Sequence, residues 1–189
     1  MPAILTTPPT AEVVTAAEAR TMLGLGASDP SDELLEAMIG AVVGTLDAAS
    51  GGWLGRALAE QEWELRLDGF PSREIVLPYP PLISVEDLAY DDGDGVERTL
   101  VEDTDFRVVA GTGGKASVAP VYGRAWPSAR CDEGSVRIRF IAGYPDGEVP
   151  AAIKAAIVLG VRQLMSTSTK DLHLARDEVP GVLVQQFVV

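Results

Sequence analysis

The chain has 189 residues, 47% of them hydrophobic, which suits one domain able to bury about 70% of its unfolded surface. With 15 Lys and Arg against 28 Asp and Glu the formal charge is −13, which argues against an open nucleic-acid-binding face because phosphate recognition draws on clustered cations. Cys131 is the single cysteine, so an intrachain disulfide and a cysteine-cluster metal site are excluded, and no apolar run approaches the ~20 residues of a membrane span.

Met1 to Pro9 has neither a basic start nor an apolar h-region, which predicts a protein made and kept in a cytoplasm or in something assembled there. Met1 to Thr10 is rich in Pro and Thr and reads as an extended arm. A first helix follows, capped by Thr10 or Thr15, with Val14, Ala17, Ala19, Met22 and Leu23 as a modest apolar face and Gly24 and Gly26 as its stop. The second helix is better signalled. Leu34, Leu35, Met38, Ile39, Val42, Val43 and Leu46 recur at helical spacing, with Asp29 as N-cap, Pro30 at the first helical position and Ser50-Gly51-Gly52 as the stop. Trp53 and Leu54 then fold back on the last turn. At about 1.5–3 kcal/mol per buried large side chain, such a face must find a partner surface.

After Gly55-Arg56-Ala57-Leu58 the period changes to two. Trp63, Leu65 and Leu67 alternate with charges over residues 61–68, as in a half-buried strand. Short strands follow at Glu74 to Leu77, Leu82 to Tyr90, Val96 to Val101, Phe106 to Val109, Ala116 to Val121 and Ser135 to Ile141, separated by turn signals that favour antiparallel pairing. Helical period returns after Glu148-Val149-Pro150, where Ile153, Ile157, Val161, Leu164 and Met165 form a stripe that ends at Ser166-Thr167-Ser168-Thr169. Residues 170–178 are charged loop. Val182, Leu183, Val184, Phe187 and Val188 make the last segment apolar, either as a final strand of the domain's own sheet or as a tail docking on another subunit.

Catalytic chemistry is missing. A site needs a nucleophile with its base, a carboxylate pair or a metal cluster, and His173 is the only histidine. Gly111-Thr112-Gly113-Gly114-Lys115-Ala116-Ser117 looks like a phosphate loop, but Val109 stands where the first glycine belongs and Ala116 where the hydroxyl belongs. The Asp91 to Gly95 turn carries three carboxylates without the spacing of a calcium loop. These features predict no catalytic residue, no metal and no cofactor. Tyr122-Gly123-Arg124-Ala125-Trp126-Pro127 reads either as a structural corner or as an interface loop through Tyr122, Arg124 and Trp126.

The order of these motifs resembles the head–tail connector (adaptor) family of tailed phages and phage-like gene transfer agents. The resemblance runs over residues 11–165. It is carried by a helix leading into Gly55-Arg56-Ala57-Leu58, by Trp63, Leu65 and Leu67 with Asp68, Phe70 and Pro71, and by Ile75-Val76-Leu77-Pro78 and Pro80-Pro81-Leu82-Ile83-Ser84-Val85. It continues through Tyr90 with Gly95, Asp105-Phe106-Arg107-Val108, Gly123 with Trp126-Pro127, Val136 to Phe140, Ala142-Gly143-Tyr144 and Val149 to Ile157. The chain departs from the family at its arm and at its end, Gln186-Phe187-Val188-Val189, where members often close on a Tyr-Arg-like pair.

The resemblance implies a structural protein without catalysis: a dodecameric ring under the portal protein, touching neighbouring adaptor subunits and a stopper or tail-completion protein, with DNA passing through its lumen unbound. It implies a particle neck assembled in the bacterial cytoplasm, with no membrane. The fold expected with it is α+β, a helical bundle from both chain ends with an inserted antiparallel β-rich subdomain and extended termini. The expected divisions are an arm (1–10), N-terminal bundle helices (11–58), a β-rich insertion (59–145), a C-terminal bundle helix (146–169) and a tail (170–189). Val182, Leu183, Val184, Phe187 and Val188 are the expected docking residues. Alternatives are a stopper or tail-completion protein of the same neck, a soluble β-rich binding module, and a small hydrolase resting on His173 alone.

Overall fold

A computed structural model describes residues 3–26, 30–145 and 148–166. Helix α1 (Ala16–Leu23) opens on a capping box: Glu18 N–H donates to the Thr15 hydroxyl at 3.1 Å, and Thr15 N–H donates to the Glu18 carboxylate at 3.0 Å. That backbone bond, followed by one from Lys154, holds the Glu18 carboxyl below its ordinary range. Gly24 ends the helix in the left-handed region. Helix α2 (Asp32–Leu46) is capped by Ser31, whose hydroxyl accepts from Leu34 N–H; Asp29, the expected cap, lies outside the described residues. The helix stops at Leu46, the last residue of the apolar spacing and before the expected stop at Ser50-Gly51-Gly52, and a 3₁₀ turn (Ala48–Ser50) carries the chain to Gly51. Helix α3 (Ala151–Ser166) starts just after Pro150, as expected.

Eight strands are present among the described residues: β1 (Ala3–Thr7), β2 (Gln61–Leu67), β3 (Ile75–Leu77), β4 (Leu82–Asp91), β5 (Glu97–Leu100), β6 (Phe106–Ala110), β7 (Ala116–Pro120) and β8 (Val136–Ala142). They form a five-stranded sheet in the order β1-β2-β8-β4-β5 and a three-stranded sheet in the order β3-β7-β6, every pair antiparallel. Alternation does the sorting. Trp63, Leu65 and Leu67 of β2 and Val136, Ile138 and Phe140 of β8 point inward and meet Ile75, Leu77, Phe106 and Val118 of the smaller sheet in one buried core. The intervening residues carry charge, and Arg139 reaches Asp87 across β8 and β4 at 3.2 Å.

The expected helical bundle with a β-rich insertion is therefore wrong. The body is mostly β-sheet, in two antiparallel sheets, with three helices among the described residues. The reason is β1. Residues 3–7 are extended, as expected of the arm, but Ala3 and Leu5 pair with Leu65 and Trp63. The large sheet thus recruits a strand from before the first helix, and α1 and α2 are inserted between two neighbouring strands. A strand this short gives no sign in sequence of which edge it will join, because pairing is decided by packing against the acceptor.

The helices have a second core, in which Leu35 and Ile39 of α2 meet Ile157, Val158 and Val161 of α3 and Val14 and Ala19 of the α1 segment. The two cores touch through residues 47–61: Ala48 and Ala57 belong to the sheet core, Leu58 and Ala59 to the helical one. Asp47 and Gln61, both buried, are bonded at 3.1 Å in this segment, and Gln61 also donates to Ala59 O at 3.1 Å. Gly143, at φ +118°, lies so close that an added Cβ would sit 1.9 Å from Ala59 O. Gly143→Ala should cost at least ~2 kcal/mol in urea unfolding. Gly40→Ala, in mid-helix with nothing within 4 Å of the new methyl, should instead gain up to ~1 kcal/mol.

Candidate partner-binding surfaces

The loop after β7 holds Tyr122, Arg124 and Trp126, and the structure gives them different work. Trp126 stacks on Phe70 with ring centroids 4.9 Å apart, Phe70 meets Tyr90 edge-on at 5.4 Å, and the Trp126 indole N–H donates to Arg73 O at 2.9 Å. Arg124 is tied to Asp105 at 2.6 Å. Both hold the corner that places the loop on the β-core. Tyr122 alone is fully exposed, beside Gly123 at φ +80°.

Sequence reasoning missed a larger exposed residue. Trp53 is 72% exposed. Its backbone folds back as expected, N–H to Thr45 O at 3.2 Å, but its side chain stays exposed, and Leu54 is the residue that packs on the helical core. Its neighbours Gly51, Gly52 and Gly55 are the available signal, since a tryptophan among glycines has little beside it to be buried by. Met22, Leu34 and Leu159 are also exposed on the helices, and Val76 on β3. These side chains offer the hydrophobic anchors on which protein interfaces depend.

The other sequence candidates are occupied by the fold itself. In the β4–β5 turn, Asp91 receives both terminal nitrogens of Arg137, at 2.9 and 3.1 Å, and Asp92 receives Asp94 N–H, Val96 N–H and Arg98. The hydrogen bond from Arg137 holds the Asp91 carboxyl below its ordinary range, and that from Val96 N–H does the same for Asp92. Asp91 in turn raises Arg137. The Gly111 to Ser117 segment is a tight connection between β6 and β7, fastened by Arg56 to Gly113 O, and it leads into a strand, where a phosphate loop would lead into a helix. Cys131 is exposed. Among the described residues no three His, Cys, Asp or Glu side chains are grouped to hold a metal ion, and no helix is long and apolar enough to cross a membrane. His173 and Val182, Leu183, Val184, Phe187 and Val188 lie outside the described residues.

No protein-family model and no curated protein matches the sequence. Solved structures share its fold. A chain in the virion of a native gene transfer agent (GTA) particle aligns with a TM-score of 0.69 at 22% identity, over 89% of this chain and 87% of that one. A chain in the neck of an empty GTA particle, computed with C6 symmetry, aligns with a TM-score of 0.67 at 22% identity, over 86% and 83%. A chain in the neck of a native GTA particle, computed with C12 symmetry, aligns with a TM-score of 0.62 at 23% identity, over 87% and 83%.

Because Asp91 and Asp92 ionise more readily folded than unfolded, their stabilisation is complete above the unfolded carboxyl range near ~4 and is lost as pH falls through the folded values. Thermal melts between pH 7 and pH 2.5 should therefore decline on the acid side, and Asp91→Asn should flatten that decline while lowering the neutral-pH melting temperature.

Proposed function

We propose that the chain is a structural, non-catalytic head–tail adaptor of a phage-like particle, forming a ring under the portal that extends the DNA channel and joins the head to the next neck component. The observation that carries this reading is the fold shared, over most of both chains, with components of GTA necks. Exposed Trp53, Met22, Leu34 and Leu159 support it as anchors for neighbouring copies or other neck proteins. The net charge of −13 supports it too, since an acidic lumen lets a polyanion slide past without capture. In this reading Val182, Leu183, Val184, Phe187 and Val188 dock on the portal or a neighbouring subunit, and Tyr122 is the contact point of its loop, set in place by Arg124 and Trp126.

Quantitative mass spectrometry of purified particles tests the proposal, with copy numbers of this chain and the portal protein expected to be equal. Absence from intact tailed particles would overturn it. A fixed ratio with crosslinks to other neck proteins but none to the portal would replace the adaptor role with that of a stopper or tail-completion protein. Deleting residues 182–189 should leave a folded chain and heads that do not acquire tails, counted by electron microscopy; normal joining would remove the docking role. Lysines in place of the lumen-facing acids should slow DNA ejection.

A further inference from the structure

A groove of about 640 Å³ lies between the turn after β2 and the loop after β7, lined by Phe70, Tyr122, Trp126 and several prolines together with Arg107 and Arg124. Its charge sets it apart. The chain carries −13 overall, and four other grooves among the described residues each have two or more carboxylate residues in their lining, but this one has none. The fold builds its walls. Trp126 is stacked on Phe70 with its indole N–H bonded to Arg73 O, and Arg124 is tied to Asp105, whose other carboxylate oxygen receives Val101 N–H. Two side chains within that frame are free: the exposed Arg107 guanidinium has no ion-pair or hydrogen-bond partner among the described residues, and the Tyr122 ring is fully exposed. We infer that the groove receives an acidic segment of another polypeptide in the particle, a proposal that rests on the neck reading above.

Charge complementarity selects the occupant. An incoming carboxylate offers Arg107 the partner it lacks, through charge-assisted hydrogen bonds about twice as strong as neutral ones, and Arg124 gives Asp105 a single bond that leaves most of its donor fork available. Apolar residues beside that carboxylate would cover Tyr122 and the prolines, and Tyr, Trp and Arg are the side chains on which interface energy concentrates. Because stacking and ion pairing already hold the walls, little ordering cost attends binding. Nucleic acid fits less well. It presents a run of phosphates, each drawing on its own cation, whereas this groove offers two guanidinium groups, one already paired, on a chain of charge −13. A basic or neutral segment would cover Arg107 and leave it without a counter-charge.

The test replaces Tyr122 with the photo-crosslinking amino acid p-benzoylphenylalanine and irradiates assembled particles. Mass spectrometry should find this chain joined to a separate polypeptide, through a peptide whose aspartates and glutamates outnumber its lysines and arginines. A crosslink to DNA, to the chain's own residues or to a peptide without net negative charge would overturn the inference, as would particles that contain the substituted chain and give no crosslink. Charge reversal is the second measurement. Arg107→Glu changes an exposed side chain and should leave thermal unfolding unchanged while lowering incorporation into particles about tenfold, with Arg107→Lys retaining most of it. Undiminished incorporation of Arg107→Glu would overturn the inference and leave the adaptor reading standing; absence of the unsubstituted chain from particles would remove both.

Discussion

The hydrogen bond between buried Asp47 and buried Gln61 is the constraint on which the rest depends. Two hydrophobic cores, one helical and one between the sheets, meet along a short segment that buries polar groups: Gln61 Nε2 finds Asp47, while Gln61 Oε1 and Arg56 Nε have no hydrogen-bond partner among the described residues. The Asp47 carboxylate also receives Ala49 N–H, which turns the chain out of α2, while its backbone exchanges contacts with Gly52 and Arg56. Removing either side chain would take one hydrogen bond from the other in a buried setting, at a cost of ~1 kcal/mol, while Gln61 keeps Ala59 O and Asp47 keeps Ala49 N–H. Helices and sheets therefore hold a fixed relation, and surfaces on the two layers can serve one assembly.

Much of this fold was legible in the sequence. The strands of residues 61–142 were readable because alternation and turn residues agree: Trp63, Leu65 and Leu67 can face only one way, and Pro78-Tyr79-Pro80-Pro81 can only interrupt a sheet. The start of α3 was readable for the same reason, since Pro150 is a local device; the start of α1 was narrowed only to Thr10 or Thr15, and the capping box of Thr15 with Glu18 settles it. The architecture was not, because it turns on long-range pairing. Residues 3–7 hold nothing that names β2 as their partner, and without that pairing the helices read as the body and the sheet as an insertion.

The candidate surfaces divide along the same line. That Tyr122, Arg124 and Trp126 share a loop was visible in sequence; that Trp126 stacks on Phe70, from a distant turn, was not, and this contact separates the supporting residues from the exposed one. Composition likewise drew attention to the Asp91 to Gly95 carboxylates, but their partners Arg137 and Arg98 come from cross-strand pairing. A cluster of like charges in a turn is uninformative until the strands beside it are known.

The place of β8 bears on how the chain is made. Among the described residues it is the last strand to leave the ribosome, yet it lies between β2 and β4 and joins the two halves of the large sheet. Until Val136–Ala142 emerges, β2 and β4 each present an open edge and the inward residues of both lack half their cover. Little of the sheet can be cooperative during synthesis, and chains truncated before residue 142 would carry two adhesive edges. Helices α1 and α2, formed early and locally, shorten the path that β1 must close to reach β2. This last described strand acts as a checkpoint on completeness, since only a chain translated through β8 can cover the facing edges of β2 and β4.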